Sequence, residues 1–288
     1  MAYIRDIWRF PDSNEYEYKF FGNYGARGEK RSPKRKATPE QIAKQNQLNR
    51  EKKVRRLIKA NFSSEDFWVT LKYPKGARPP LEVVKADFEA FLRRLRYAYK
   101  KAGTPLKYIY RIEVGSRGGI HIHMVVNRGE GILTDLEIQK AWTVGHISFE
   151  HLYDSGGYNS LASYIVKPPS PEAQKHLDKI PEEERKELIK YSGSRNLIRP
   201  EPERKEYSHS TVRKLVSEGP TPSPGYYIDL ESVVMGVNAY TGMSYIHYTE
   251  IRLDPIPRGR PRGTRSGAEK QISCTGATEK TGERIRQW

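Results

Sequence analysis

The sequence predicts an α+β protein in which an antiparallel sheet carries helices on one face. Runs of β-branched and apolar residues, typical of strands, occur at 67–73, 108–114, 118–126 and 145–152. Residues 81–101 predict an amphipathic helix whose apolar side chains share one face: Val84, Phe88, Phe91, Leu92 and Leu95. Shorter helices are predicted at 133–143 and 158–167. The resulting order, β-α-β-β-α-β-α, favours an antiparallel sheet with helices packed against it.

The segments on either side of this sheet are predicted to be basic extensions. Residues 1–39 interleave aromatic and basic side chains without a clear period, so we expect an irregular arm that contacts nucleic acid or merely precedes the fold. Thr38 and Pro39 predict the start of a helix that ends near residue 60. Its basic residues either follow a phosphate backbone or form a solvated face. A second pair of strands is predicted at 225–230 and 243–248.

The composition favours a polyanionic partner. The 288 residues include 51 Lys and Arg against 35 Asp and Glu, which gives a net charge of +16. Basic side chains neutralise phosphates, and the 19 Tyr and 4 Trp offer rings on which unpaired bases stack. Cys274 is the single cysteine, which excludes a disulfide within the chain and a cysteine-based zinc site. No apolar run approaches the roughly 20 residues of a membrane span, and no signal peptide is evident, so we expect a cytoplasmic protein.

Two histidines in the strand at 118–126 are candidate metal ligands. His121 and His123 are two residues apart, so their imidazoles point to the same face of the strand. The turn 115–119 predicts a hairpin that brings Glu113 close to His121. Two nitrogens and a carboxylate suit Mg²⁺ or Mn²⁺, although zinc would fit too. The alternative interpretation is a polar sheet surface on which Glu113 pairs with a neighbouring arginine.

The helix predicted at 158–167 carries a candidate nucleophile. Tyr164 and Lys167 are three residues apart and therefore share a helical face. A lysine at this spacing lowers the pKa of the phenol or neutralises charge that builds on a phosphate. Tyr158 is the alternative nucleophile, and it lies about 120° away from Tyr164 around a helix. A surface pair with no chemical role is the commoner meaning of this spacing.

Together these residues resemble the HUH endonuclease superfamily, in particular the rolling-circle replication initiators of plasmids, phages and small circular DNA viruses. The superfamily has three ordered motifs, which correspond here to the strand at 67–73, the histidine strand at 118–126 and Tyr164 with Lys167. Glu113 stands where some members have a carboxylate ligand. Ser160 occupies the position of a second tyrosine, so the resemblance implies a single-tyrosine enzyme.

The resemblance implies an RRM-like or ferredoxin-like core and assigns roles to its residues. Tyr164 and Lys167 would be catalytic, and His121, His123 and Glu113 would hold Mg²⁺ or Mn²⁺. The predicted DNA contacts are Arg111, Arg117 and Lys72. The expected domains are a basic arm and helix at 1–61, the HUH core at 62–170, an α+β extension at 171–254 and a disordered basic tail at 255–288.

The expected activity is metal-dependent nicking of single-stranded origin DNA through a 5′-phosphotyrosine intermediate, followed by strand rejoining. No Gly-x-x-x-x-Gly-Lys-[Ser/Thr] motif occurs, so a host helicase would unwind the DNA and a host polymerase would extend the free end. A transposase or relaxase of the same superfamily would share this chemistry. A nucleic-acid-binding protein without catalysis is the alternative from a different class.

Overall fold

The computed structural model of the chain describes residues 3–21, 38–152, 158–238 and 243–253. The chain divides into two compact units, Met1–Pro255 and Ile256–Trp288, and the second lies outside the described residues. The predicted disordered tail at 255–288 therefore lies there too, as does the basic stretch 22–37 of the predicted arm. No helix in the described ranges combines the length and apolar character needed to cross a membrane.

Seven helices and ten strands make up the described part of the chain. In chain order they are β1 (Tyr3–Arg9), β2 (Ser13–Phe20), α1 (Pro39–Asn61), β3 (Phe67–Lys72), α2 (Leu81–Lys101), β4 (Tyr108–Val114), β5 (Ile120–Val126), α3 (Thr134–Ala141), β6 (His146–His151), α4 (Asn159–Val166), α5 (Pro171–Leu177), α6 (Glu182–Ile189), β7 (Ser192–Gly193), β8 (Glu203–Tyr207), α7 (His209–Glu218), β9 (Tyr226–Val237) and β10 (Ser244–Arg252). The predicted α+β class is confirmed.

The strands predicted from the two-residue period form one antiparallel sheet, the central sheet, in the order β6-β3-β5-β4-β7. The predicted hairpin joins β4 to β5, and its register pairs Glu113 with His121 and Arg111 with His123. On the other side of β5, the β3 register pairs Thr70 with His123. Residues paired in this way project to the same face, so a polar patch runs across three neighbouring strands.

Helices cover both faces of the central sheet. One face packs against α2 and α3, with Val69, Leu71 and Ile122 buried against Phe91 and Leu95. This is the arrangement that the sequence predicts. The opposite face is buried by α1 and α4, whose cluster includes Val125 and Ile165. The prediction of helices on one face omitted this second layer, which forms because β5 is apolar at Val125 on the histidine face as well.

Residues 3–20 correct the expectation of an irregular N-terminal arm. They form the hairpin β1–β2 inside a second antiparallel sheet, which has the order β8-β1-β2-β10-β9. In β2, tyrosines alternate with acidic residues, so one face is aromatic and the other is acidic. Tyr16 stacks on Tyr248 of β10 with 4.7 Å between ring centroids. The strands predicted at 225–230 and 243–248 are present as β9 and β10.

The acidic face of β2 receives the basic residues of α1. Glu15 is 3% exposed in its side chain and forms ion pairs with Arg55, Arg56 and Lys59 at 2.8–2.9 Å. Glu17 forms ion pairs with Arg56 at 2.6 Å and with Lys52 at 2.8 Å. These four basic side chains face the second sheet, which corrects both expectations for them, a phosphate-tracking surface and a solvated face, whereas Arg50 and Lys53 of the helix remain exposed. The helix instead joins the second sheet to the central sheet.

We expect this junction to weaken in acid. Burial alone would raise the pKa of Glu17, but Arg56 and Lys52 outweigh burial and lower that pKa to about 2 from an ordinary 4.5. The pKa of Glu17 is lower in the folded state than in the unfolded state, so its ion pairs stabilise the fold fully at pH values above 4.5. This stabilisation is lost as the pH falls from 4.5 to about 2. Glu17→Gln should therefore reduce the loss of unfolding free energy between about pH 6 and about pH 3.

Urea unfolding at the two pH values measures this difference. Glu65→Gln is the matched control, because the Glu65 side chain is 74% exposed. A Glu17→Gln protein that loses as much stability in acid as the wild type would contradict the ion-pair account.

Candidate active site

Four of the predicted site residues meet on the histidine face of the central sheet. Helix α4 follows Tyr158, which has a left-handed backbone with φ 63°, and ends before Pro168 and Pro169. Its last turn places the Tyr164 hydroxyl 3.1 Å from Glu113 Oε2 and 3.2 Å from His123 Nε2. The phenol thus faces the histidine strand, as the resemblance implies.

The carboxylate of Glu113 is the common partner in this group. Its Oε2 lies 2.9 Å from His123 Nε2, and its Oε1 lies 2.9 Å from Lys167 Nζ. Burial opposes ionisation of Glu113, but hydrogen bonds from His123 and Lys167 outweigh it and lower the pKa of Glu113 to about 2. Glu113 is therefore an ionised oxygen donor at neutral pH, in the form that a divalent cation binds.

Tyr164 is held as a neutral phenol in this arrangement. Burial raises the pKa of Tyr164, and the neighbouring Glu113 carboxylate raises it further, whereas Lys167 lowers it. The Lys167 ammonium lies 3.8 Å from the centroid of the Tyr164 ring. Lys167 therefore contacts both the nucleophile candidate and the carboxylate, which agrees with its predicted position one turn beyond Tyr164.

His121 lies on the same face but does not join the cluster directly. Its ring centroid is 6.1 Å from that of His123, and the rings are nearly perpendicular. Burial lowers the pKa of His121, and the nearby His123 and Lys72 lower it further, so its imidazole is neutral and has a free lone pair at pH 7. In the described ranges no three His, Cys, Asp or Glu side chains are grouped closely enough to hold a metal.

Two residues that the sequence analysis did not single out orient His123. The indole of Trp68 stacks on the imidazole, with 5.4 Å between centroids and 8° between planes, and its edge meets Tyr164. Thr70 Oγ1 lies 3.2 Å from His123 Nδ1. Along β3, Trp68 and Thr70 alternate with the buried core residues Val69 and Leu71. The two-residue period of a strand therefore places Trp68 and Thr70 on the same face as Lys72. Their contact with His123 depends on the pairing register of β3 and β5, which the sequence does not specify.

Arg111 requires a correction, because we predicted that it contacts DNA. Its side chain is buried, with the residue 3% exposed. Its Nη1 donates to the carbonyls at the end of α4, at 2.9 Å from Ile165 O and 2.7 Å from Lys167 O, with Tyr164 O at 3.4 Å. A guanidinium buried to this extent is not accessible to a phosphate of DNA. Arg111 instead anchors the segment that bears Tyr164 and Lys167 to the sheet.

The other two predicted DNA contacts lie at the rim of the site. Lys72 is exposed at the end of β3 and pairs in register with His121. Arg117 is exposed in the β4–β5 turn, and its carbonyl accepts a hydrogen bond from Arg78. Both side chains are therefore accessible to a strand that approaches His121.

Tyr158, the alternative nucleophile, is part of the apolar cluster between α1 and α4. The residue is 6% exposed and packs in the cluster that contains Val54, Ile58 and Ala162. A phenol buried in an apolar cluster is poorly placed to attack a phosphate. The geometry favours Tyr164.

Comparison with known proteins agrees with this site. Residues 66–169 match the sequence model of a protein family that is described as replication-associated protein ORF2. The matched segment is roughly a third of the chain and runs from the residue before β3 to the prolines after α4. No curated protein and no solved structure gives a significant match. Over this segment the chain is similar to replication-associated proteins.

We expect loss of Arg111 to loosen the tyrosine helix selectively. Arg111→Met keeps the length of the side chain but removes the donor that satisfies the last carbonyls of α4. Hydrogen bonds from a charged group are worth about 1.5–3 kcal/mol, so amide exchange in α4 should accelerate about tenfold to hundredfold. Hydrogen–deuterium exchange with peptide-level mass spectrometry measures this change.

Arg117→Met is the matched control, because that side chain is exposed in the turn. Exchange in α4 that is equally slow in Arg111→Met and wild type would show that the helix does not depend on Arg111.

Proposed function

We propose that this protein is a rolling-circle replication initiator of the plasmid or phage type, which nicks single-stranded origin DNA as an HUH endonuclease. The observation that carries the proposal is the position of the Tyr164 hydroxyl, within 3.2 Å of both Glu113 and His123 and beside Lys167. The match to a replication-associated family over the same segment supports it.

The chemistry of the donor groups suits a divalent cation, and two of the three proposed ligands already lie together. Glu113 Oε2 and His123 Nε2 already converge on one point, and His121 stands directly opposite Glu113 in the strand register. Cross-strand partners have Cβ atoms about 4.5–5.5 Å apart, so rotation of the His121 side chain would bring its ring to the same point. We propose that these three residues hold Mg²⁺ or Mn²⁺, which when bound supplies positive charge to the scissile phosphate.

The proposed reaction is a transesterification. The Tyr164 oxygen attacks the phosphorus in line, a bond forms between that oxygen and phosphorus, and the bond from phosphorus to the 3′ oxygen breaks. The leaving 3′ oxygen takes up a proton and becomes a free 3′-hydroxyl that primes a polymerase. The phosphodiester energy is kept in the 5′-phosphotyrosine bond, so the reverse reaction rejoins the strand without ATP.

The residues around Tyr164 have separate roles in this step. Glu113 and His123 hold the Tyr164 hydroxyl beside the proposed cation site, and once they bind the cation the phenol proton would pass to solvent as the oxygen attacks. Lys167 neutralises charge on the phosphate, because its ammonium reaches both the ring and the carboxylate. Trp68 and Thr70 keep the His123 ring in place. Lys72 and Arg117 are the proposed contacts to the neighbouring phosphates of the strand.

The wider setting of the reaction follows from the same proposal. A host helicase would expose the single strand, and a host polymerase would extend the 3′ end in the cytoplasm. The net charge of +16 favours the nucleic acid over neutral partners.

The first prediction is a covalent adduct that depends on Tyr164. The protein is incubated with Mn²⁺ and a pool of random single-stranded oligonucleotides labelled at the 3′ end, and the products are separated on a denaturing gel. Because the phosphate stays on the tyrosine, the 3′-labelled fragment should migrate with the protein, while a 5′ label should remain on free DNA. Tyr164→Phe should abolish the adduct.

Tyr227→Phe is the matched control, because Tyr227 is 45% exposed on β9 and distant in sequence from the site. An adduct that persists in Tyr164→Phe and disappears in Tyr158→Phe would assign the nucleophile to Tyr158 instead.

The second prediction concerns the metal. EDTA should abolish the adduct, and added Mn²⁺ should restore it. His123→Ala should lower Mn²⁺ affinity, measured by calorimetry without DNA, by about tenfold to a hundredfold or more. His151→Ala is the control, because that histidine lies on the same sheet but projects to the opposite face, beside Phe67.

A non-catalytic binding protein gives a different pattern. It would bind the oligonucleotides equally well with EDTA or after His123→Ala, and no labelled fragment would ever migrate with the protein. Strand transfer between two DNA ends would instead indicate a transposase, and specificity for a transfer origin would indicate a relaxase.

A further inference from the structure

A groove of about 920 Å³ lies between α2 and α3, on the side of the central sheet away from Tyr164. One wall is a face of α2 with residues at helical spacing: Arg93, Arg94, Tyr97, Ala98 and Lys101. The other wall is the start and outer face of α3, which includes Leu133, Leu136 and Lys140. Neither the chemistry of the nicking site nor the packing of the core uses these outward-facing side chains.

The floor and walls of the groove expose large apolar side chains. Tyr97 is 70% exposed, Leu133 is 65% exposed and Leu136 is 41% exposed. They are neighbours across the two helices rather than scattered singly over the surface. Adjacent exposed apolar side chains that are rimmed by polar residues are typical of an interaction site.

The rim of the groove is basic. Its lining includes several basic side chains, and Glu137 is its one acidic residue. Glu137 is already paired with Lys140 at 2.6 Å, and Arg94 donates to the carbonyl of Ala141. Arg93 and Lys101 are exposed and have no ion-pair partner among the residues that the structure describes. These two cations are therefore available to carboxylates of a ligand.

We propose that this groove binds an acidic peptide segment with apolar side chains, contributed by a partner protein. The leucines would receive the apolar side chains, and Arg93 and Lys101 would pair with the flanking carboxylates. A nucleic acid strand fits less well, because bases stack on aromatic rings and the groove offers only Tyr97 among its lining residues. The partner and a DNA strand at Tyr164 would occupy opposite faces of the sheet, so they bind simultaneously.

Fluorescence anisotropy with a labelled peptide of alternating Asp and Leu residues tests the proposal on the full chain. We expect saturable binding that weakens about tenfold in Leu133→Ser, because the loss of one buried leucine costs about that factor. The double variant Arg93→Glu, Lys101→Glu should abolish binding, and added salt should weaken the wild-type complex.

Matched controls distinguish peptide binding in the groove from nonspecific binding elsewhere on the surface. Val237→Ser removes an apolar side chain that is 63% exposed on β9, and Arg213→Glu reverses an exposed charge on α7. Both should bind the peptide as the wild type does. A peptide of alternating Asp and Ser should not bind.

Three results would overturn the inference. These are no binding of the Asp–Leu peptide, equal binding by Leu133→Ser, and displacement of the peptide by single-stranded DNA with the same variants weakening DNA binding. The last result would assign the groove to nucleic acid. The assay contains no metal and scores no nicking, so its failure is distinct from a failure of the proposed endonuclease activity.

Discussion

The attachment of α4 to β4 is the interaction on which the site depends. Arg111 and Glu113 are two residues apart on β4 and project to the same face. Arg111 binds the carbonyls at the end of the helix, and Glu113 binds the side chains of Tyr164 and Lys167 from the same turn. One strand thus fixes both the backbone and the reactive side chains of one helical turn. A helix end is otherwise a weak anchor, because its last carbonyls have no partners within the helix.

The buried guanidinium is tolerated there for electrostatic reasons. The carboxyl end of a helix carries partial negative charge, and the Glu113 carboxylate lies on the same face of the sheet. The Arg111 Nε has no hydrogen-bond partner among the described residues. The hydrogen bonds from Nη1 to the α4 carbonyls therefore provide most of the compensation for burying the charge. A helix that shifted away would leave this cation without compensation. The position of Tyr164 is therefore coupled to the stability of the sheet itself.

The N-terminal hairpin supports the same helix from its other side. Helix α1 packs on α4, and Gln47 donates to the carbonyl of Val166. Arg55 bridges β2 and α4, since it bonds Glu15 and also Asn159 at the start of α4. The basic residues of α1 therefore form a structural joint, although their composition suggested a phosphate-binding surface. Charge density in a sequence indicates a polar partner, but it does not distinguish an acidic strand of the same chain from DNA.

Local sequence patterns could be predicted here, whereas contacts between distant segments could not. Features that depend on local spacing were predictable: the histidine strand, the hairpin that brings Glu113 opposite His121, and the helix that carries Tyr164 and Lys167. Parity also placed Arg111 on the face of Glu113, yet only the docking of α4 turns it from a DNA contact into an anchor. The partners of α1 on β2 are between 35 residues (Lys52 to Glu17) and 44 residues (Lys59 to Glu15) away, and no local pattern encodes that pairing. The β1–β2 hairpin was missed because β1 has no regular two-residue alternation, and because the tyrosines and charged residues of β2 also suit a nucleic-acid-binding arm.

The contacts of Glu113 hold the site together and bear on how the proposed reaction would start. One carboxylate accepts the phenol, the imidazole and the ammonium, so each group is held by a charge that a divalent cation would share. Burial raises the pKa of Tyr164 and the same carboxylate raises it further, so both keep the candidate nucleophile protonated. A positive charge beside Glu113 would reduce the part of the Tyr164 pKa increase that comes from the carboxylate, whereas the larger part comes from burial. In the proposed reaction, cation binding and activation of Tyr164 would both involve Glu113, so a substitution of Glu113 would affect both steps.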